Sequence, residues 1–475
     1  MVNPDFLSIN TKLVQHVGPP TFSGGKIRQP VLNQQWVAAL CKEVCKPIYD
    51  KASSAFYIYN PGTGVYESQT TAEMVALISQ IMMQYAHACE DPFVDSKRDV
   101  ATIRHILEFL KAICAEENAF QRNDVPFIHC ANGVIVFEEQ PDHRFKAVLK
   151  PFDPKYRSRN RTEYDFDPEA ICPDFIGKLL QPALNEDSMN LLQLYGGQCL
   201  LGENSSQTIL VMTGTANGGK STLVNILEKL INRKNCTELR LEHMNSRFET
   251  QRLLGKSLLT AKDVPSNFLN SAGAHKLKAL TGKDTITIEH KGSNETADIC
   301  CTFNTIITAN NTLRIAIDGD SDAWRRRLIL INFVNPPPKN KIPNYDDVLL
   351  KEEGKGILQW FVEGAILLLE NKGRISKSNE QKALVDSLLN ESDALGRFIE
   401  ESIEADKTAT VTTAELLEAF RIFCKNHKWQ LMPQRYIENL LPEYIYRVYG
   451  LSKRTDVKRN GRNNRGYYGL KITLA

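Results

Sequence analysis

One run constrains this chain more than any other: Thr208-Ile-Leu-Val-Met-Thr-Gly214-Thr-Ala-Asn-Gly218-Gly219-Lys220-Ser221-Thr222-Leu. Its first six residues are β-branched or apolar, as a buried strand requires. Beyond the glycines, Leu223, Ile226, Leu227 and Leu230 recur at helical spacing. Gly214 to Ser221 fits G-x-x-x-x-G-K-[ST] without a gap, in the strand–turn–helix setting that gives the motif its meaning. Successive N–H groups at a helix N-terminus form an anion cradle, and glycines let the backbone approach a phosphate without a Cβ. Gly214, Thr215, Ala216, Asn217, Gly218, Gly219, Lys220, Ser221 and Thr222 are therefore the candidate nucleotide cradle. Lys220 would bring a mobile charge to the β/γ-phosphates, and the Ser221 hydroxyl a ligand for Mg²⁺. An ordinary glycine-rich turn needs neither the lysine nor the hydroxyl. The expected ligands are ATP and Mg²⁺, on a mixed α/β fold.

A chain of 475 residues exceeds what one core usually covers, so several domains are expected. A net charge of only +2 means that any nucleic-acid surface must come from local clustering. The N-terminus lacks the basic and apolar regions of a signal peptide, and no apolar run is long enough to span a bilayer. Eleven cysteines without a C-x-x-C pair argue against a zinc site or a disulfide framework, and reduced thiols point to the cytoplasm.

Upstream of the P-loop the pattern predicts a helix over Asn33–Cys45 and a hairpin over Tyr57–Glu67. Helices over Thr71–Ala88 and Arg98–Ala115 follow, then a second hairpin over Phe127–Phe137. The polar loop Lys155–Glu163 carries Arg157, Arg159 and Arg161, which spacing alone assigns to a solvated loop rather than to nucleic acid. Cys172–Leu184 and Ser188–Leu201 have the pattern of helices leading into the P-loop strand.

Downstream, the short apolar strand Ser257–Ala261 delivers Asp263 at its C-terminal end. That is the edge at which a parallel sheet presents ligand-binding residues, and a carboxylate there suits Mg²⁺ or the attacking water. His275–Asp284 is a basic helix ending in a glycine turn, and Thr285–Phe303 alternates as a hairpin with His290 and Lys291 near its tip. Spacing alone makes that tip a solvated one. Asn304–Asn311 is a third buried strand ending in Asn310, and Trp324-Arg325-Arg326-Arg327 precedes a fourth. Arginine's permanently charged fork suits the charge developing on a transferred γ-phosphoryl group.

After Pro336-Pro-Pro, helices are expected over Gly354–Asn371, Ser376–Glu391, Leu395–Ala405, Thr412–His427 and Pro433–Leu441. Strands are expected at Tyr444–Tyr449 and from Gly466 onward. Three helices and a two-stranded hairpin make a winged-helix pattern. Between those strands lie Lys453, Arg454, Lys458, Arg459, Arg462 and Arg465, against the single acid Asp456. A wing of that charge would bind a phosphate backbone with salt-sensitive, weakly sequence-dependent affinity.

Taken together, the chain from about Tyr49 onward resembles the superfamily 3 helicases of phage, plasmid and mobile-element replication, of the type found at the C-terminus of primase–helicase fusions. The likeness rests on Asn132-Gly133-Val, Cys172-Pro, Tyr195-Gly-Gly-Gln-Cys-Leu-Leu-Gly202 and the P-loop. It continues through Arg247-Phe-Glu to Gly255-Lys, Leu280-Thr-Gly-Lys-Asp284, Thr308-Ala-Asn310 and Trp324-Arg-Arg-Arg. It implies an AAA+-like ATPase core between a mainly helical N-terminal domain and a C-terminal winged-helix domain. The segments expected are 1–120, 121–190, 191–345 (the ATPase core), 346–392 (a helical linker) and 393–475. It further implies Asn310 as the sensor of the γ-phosphate and an arginine finger acting on the next subunit, Arg326 first and Arg327 second. The expected assembly is a ring of six. In this family the hairpin before the sensor strand projects into the ring's channel, which turns His290 and Lys291 into expected DNA contacts, beside Lys458, Arg459, Arg462 and Arg465 in the wing. DNA, single-stranded in the channel and duplex at the wing, is the expected partner. The stretch before Tyr49 is too short for a primase, so a primase or polymerase would be a separate protein. The P-loop departs from the family in having Gly218 where an asparagine is usual. Only Asp263 stands where paired acids are common, which leaves the general base unassigned. An ATP-regulated initiator or loader without processive unwinding is the alternative.

Overall fold

The computed structural model describes residues 4–24, 27–117, 119–120, 125–246, 249–271, 273–289, 296–315, 321–334, 342–427, 429, 431 and 434–473. At its centre is a five-stranded, wholly parallel sheet: β1 (Ile209–Gly214), β2 (Cys236–Glu238), β3 (Leu258–Ala261), β4 (Asn304–Thr308) and β5 (Leu328–Phe333), in the spatial order β2-β3-β4-β1-β5. Such strands are buried on both faces, and Ile209–Met212, Leu258–Ala261 and Asn304–Thr308 are buried throughout. That double burial makes the first two legible as apolar runs and the third as a β-branched one. β2 has only three residues and gave no such signal.

Helices cover both faces. On one lie α1 (Glu186–Leu201), α2 (Lys220–Ile231) and α4 (Tyr345–Glu370), which share an apolar core with β1 and with the segment from Ile128 to Leu184. One core thus draws on residues assigned from sequence to three consecutive segments. Glycines set the approach of α1 to α4. A Cβ on Gly197 would stand 2.2 Å from the Ala365 nitrogen, and one on Gly364 would stand 2.0 Å from the Gln193 carbonyl oxygen. Beside them the Tyr195 hydroxyl, wholly buried, donates to the Thr305 carbonyl at 2.7 Å and accepts from the Thr305 N–H at 2.9 Å. Tyr195-Gly-Gly is therefore a packing device holding α1 against β4 and α4. The opposite face of the sheet carries the short α3 (Ser321–Arg327) and α5 (Asn379–Ser392), packed through Trp324, Val385, Leu388 and Leu389.

The N-terminal region has its own core, built by helices Phe6–Val17, Gln34–Cys45, Thr71–Ala88 and Val100–Cys114. Small sheets accompany these helices, including the expected hairpin Ala55–Asn60/Val65–Gln69. The arginine loop is not solvated, contrary to expectation. Arg157 pairs with Glu116 at 3.0 Å and lies over the Tyr66 ring, while Arg159 lies 4.6 Å over the Phe120 ring and 3.8 Å from the Asp50 carboxylate. Both are spent in fastening this loop to the N-terminal region.

The C-terminal unit comprises helices Ala394–Ser402, Thr413–Asn426 and Gln434–Tyr449 against a three-stranded antiparallel sheet. Strand Ile403–Thr412 pairs with Arg462–Ile472, and that strand with Arg454–Arg459. Three helices were expected, but Tyr444–Tyr449 ends the third helix and is not a strand. Ile437, Leu441 and Ile445 are buried one helical turn apart, and that spacing of four outweighs the local alternation of two. The basic residues thus sit within a tight hairpin turning at Asn460-Gly461, both with positive φ. Among the described residues, no helix is long and apolar enough to cross a membrane.

Candidate nucleotide site

Because all five strands run the same way, the segments that leave their C-terminal ends meet along one edge. The P-loop leaves β1, Asp263 follows β3, and Asn310 follows β4, which lies between them. The sequence-expected nucleotide and metal residues converge here. Gly214 has φ +114, and a Cβ on it would fall 2.2 Å from the Phe333 carbonyl oxygen, which itself accepts from the Thr215 N–H at 3.2 Å. Glycine is required there because the end of β5 presses against the loop. Gly219 has φ +102, and a Cβ on it would reach Leu179 Cδ1 at 2.9 Å, in the π-helical segment Phe175–Leu180 beneath the loop. Asn217 also has a positive φ of 62°, a conformation that asparagine tolerates better than most residues.

Gly219 is the N-cap of α2 and offers no side-chain cap, so the leading N–H groups of this helix are left for another acceptor. Thr215, Ala216 and Asn217 are exposed at the loop's crest, and Ser221 and Thr222 are half-buried in the first turn. Lys220 is 3% exposed, and its Nζ donates to the Gly214 and Thr215 carbonyls, both at 2.8 Å. Burial lowers its pKa, and the Asp263 carboxylate partly offsets this. Lysine and carboxylate therefore share one electrostatic neighbourhood.

Asp263 is exposed and, like Asn217, adopts a left-handed backbone, with φ 50. The strain is held by β4: the Asp263 N–H donates to Thr308 Oγ1 at 2.9 Å and the Val264 N–H to the Thr308 carbonyl at 2.9 Å. Thr308 is thus a positioning residue that strand periodicity alone could not single out. Beside it, Lys262 donates to Asn225 and to Glu228 of α2, both at 2.8 Å, and Thr260 donates to the second Glu228 oxygen at 2.7 Å. That carboxylate is fully engaged, and the described residues offer no second acid in the place of a paired motif.

Asn310 is exposed at the same edge. The segment after it turns back: the Arg314 N–H donates to the Ser266 carbonyl at 2.7 Å, in the loop following Asp263. The Arg314 guanidinium reaches the Leu431 carbonyl at 3.3 Å, and the Ile315 N–H reaches Ser392 Oγ at 3.1 Å.

The arginines lie elsewhere. α3 immediately precedes β5, at the N-terminal edge of the sheet, with β5 separating it from the P-loop. Six residues at a rise of about 3.3 Å make that separation roughly 20 Å. Arg325 pairs with Asp322 and with Asp386 at 2.6 Å. Arg327 is buried beside Gly282, with its guanidinium 3.3 Å from the Ala323 carbonyl. Arg326 is exposed and has no ion-pair partner among the described residues. The hairpin Thr285–Glu289/Thr296–Cys300 rises from the same edge, but its turn, with His290 and Lys291, lies outside the described residues. In the C-terminal hairpin Lys458, Arg462 and Arg465 are exposed. Arg459 instead donates to Glu415 Oε1 and Thr410 Oγ1, both at 2.8 Å, and so belongs to the domain's own framework. A cleft of about 530 Å³, lined by Asp50, His129, Arg159, Lys256 and Phe303 among others, includes no P-loop residue.

The model of a family of unknown function (DUF5906) matches residues 212–327. Among solved structures, the A-form apo structure of the NrS-1 C-terminal region is 15% identical with a TM-score of 0.48, over 92% of this chain and 100% of that one. An apo structure of the same region is 14% identical with a TM-score of 0.48, over 93% and 99%. The family match begins inside β1 and ends on the last arginine of α3, so the segment from P-loop strand to arginine helix recurs in a family whose function is itself unassigned.

Proposed function

We propose that this chain is an ATP-dependent DNA helicase of the superfamily 3, AAA+ type, working in replication of a phage or mobile genetic element. One observation carries the reading: the P-loop, Asp263 and Asn310 share one edge of the sheet, while the exposed Arg326 stands at the other. An arginine roughly 20 Å from its own P-loop has no use there, and gains one if a neighbouring copy presents its P-loop to it. Such a head-to-tail contact repeats until it closes, which favours a ring, of six copies by the family likeness.

The residues present suit the nucleotide. The uncapped N-terminus of α2 and the glycines at Gly214 and Gly219 make a cradle that any side chain would fill, and Lys220, folded onto loop carbonyls, is a cation without an anionic hydrogen-bond partner among the described residues. ATP with Mg²⁺ would be held by residues 214–222, with Ser221 and Asp263 on the metal, and would supply the phosphoryl group whose transfer to water drives movement. Asn310 would orient the water, and Arg326 or, less accessibly, Arg327 of the adjoining copy would meet the charge that develops. DNA would be gripped at His290 and Lys291 and captured at Lys458, Arg462 and Arg465.

The test is strand displacement by purified protein on forks carrying a single 3′ or 5′ tail, beside ATP hydrolysis. Lys220→Ala should abolish both while leaving the thermal melt intact. Hydrolysis without displacement on either fork would assign the chain to the initiator or loader class. Near-parental hydrolysis by folded Lys220→Ala would overturn the P-loop assignment.

A further inference from the structure

Three side chains from the segment that leaves the ATPase core for the C-terminal unit close on α3 and β5. Lys377 Nζ donates to the carbonyls of Arg325 and Arg326, both at 2.8 Å. The Gln381 carboxamide donates to the Leu330 carbonyl at 2.7 Å and accepts from the Leu330 N–H at 3.3 Å, so it continues the ladder of β5 as a strand would. Asp386 accepts from Arg325 Nε at 2.6 Å. Ser378, the N-cap of α5, is itself tied to Asp187 at 2.8 Å, so the gripping segment is anchored to α1.

The two carbonyls that Lys377 holds belong to the peptide groups on either side of the Arg326 Cα. Fixing both fixes the direction of the Arg326 Cα–Cβ bond, and hence the arc its guanidinium can sweep. A seven-residue helix has little stability of its own, and a cation on its last carbonyls is the favourable partner for that end. The neighbours are already committed, Arg325 to Asp322 and Asp386, and Arg327 to the interior. Of the three arginines, Arg326 is the one left to reach outward, on a backbone held from behind.

We propose that Lys377 is a positioning residue for the arginine finger: by clamping the peptide groups around Arg326 it aims that side chain at the nucleotide of the adjoining subunit, and with Gln381 and Asp386 it makes the finger's aim depend on the segment leading to the C-terminal unit. This rests on Arg326 acting in trans. Lys377 is half-buried, and this desolvation brings its pKa down to about 8.

The experiment compares Lys377→Met, Asp386→Asn and Arg326→Ala in ATP turnover, fluorescent-nucleotide affinity and mixed assembly. Because displacement of a reacting group by about 1 Å costs on the order of 100-fold, Lys377→Met should lower kcat by roughly that factor while leaving nucleotide affinity near parental. Mixed with Lys220→Ala subunits, which carry an intact finger and clamp, Lys377→Met should regain turnover. Mixed with Arg326→Ala it should not, since neither copy then presents a working finger. Asp386→Asn, which loosens the Arg325 tether without removing the lysine clamp, should show a smaller loss with the same pattern of recovery, and it serves if Lys377→Met fails to fold. Parental turnover in Lys377→Met, or no recovery in mixtures that demonstrably co-assemble with Lys220→Ala, overturns the clamp. Parental turnover in Arg326→Ala overturns the trans-finger reading itself, and the clamp with it. An inactive Arg326→Ala beside an active Lys377→Met removes the clamp alone.

Discussion

Of the four cations expected to meet DNA from the C-terminal hairpin, Lys458, Arg462 and Arg465 are exposed, whereas Arg459 bonds Glu415 and Thr410. Glu415 is also the acidic half of the capping box that starts helix Thr413–Asn426, so Arg459 ties the hairpin to that helix's first turn. The same charge count therefore contains two chemistries. Replacing Lys458, Arg462 and Arg465 with alanine should weaken duplex binding and flatten the plot of log affinity against log salt by up to ~2.7 units, nearly one for each phosphate no longer neutralised. Arg459→Ala should instead destabilise the C-terminal unit by about 1 kcal/mol, a partly exposed charge-assisted hydrogen bond being worth no more. Thermal melts of both variants beside binding isotherms at several salt concentrations separate these roles. Equal salt slopes for the triple variant and the parent would remove the hairpin from the DNA surface.

At Gly197 and Gly364 the backbones of α1 and α4 come close enough that a single added methyl has no room. Gly197→Ala places a methyl against the main chain of α4, which no rotamer change relieves, so the variant should lose about 1–3 kcal/mol, read as a lowered urea midpoint. A parental midpoint would mean that the helices separate at little cost. Elements of this kind mark what the sequence disclosed and what it withheld. β1 and β3 were legible because burial on both faces gives apolar runs, β4 because its residues are largely β-branched, and β5 because it opens on four apolar residues; Asp263 and Asn310 were legible because each follows such a strand. The three-residue β2 is too short for any period to register. Tyr444–Tyr449 misled because its period of two was read in isolation from the four-residue spacing of Ile437, Leu441 and Ile445. The partners of charged residues were out of reach: Arg157 on Glu116, Arg459 on Glu415 and Lys377 on Arg326 are separated by 41 residues or more, and only the fold brings them together.

At the scale of the whole molecule, the segment after Asn310 touches the loop of Asp263, the last residue of α5 through Ser392, and the C-terminal unit through Leu431, while Lys377, Gln381 and Asp386 join that unit's lead-in to α3 and β5. Both edges of the sheet are thus linked to one downstream body, giving a displacement of that body a route to the candidate nucleotide site and to Arg326 alike. The N-terminal region is bound through the loop of Arg157 and Arg159 instead. The placement of Arg326 across the sheet from Lys220 has a consequence for how the protein behaves when scarce. If Arg326 acts on the nucleotide of a neighbouring copy, as proposed, each copy carries two halves of different sites, so turnover per copy should collapse on dilution below the association range, while nucleotide still binds. A dilution series following hydrolysis and fluorescent-nucleotide binding together should show the first falling and the second holding, and constant turnover per copy would mean that each copy suffices alone. Scattered copies would load fuel without burning it, and crowding would act as the ignition.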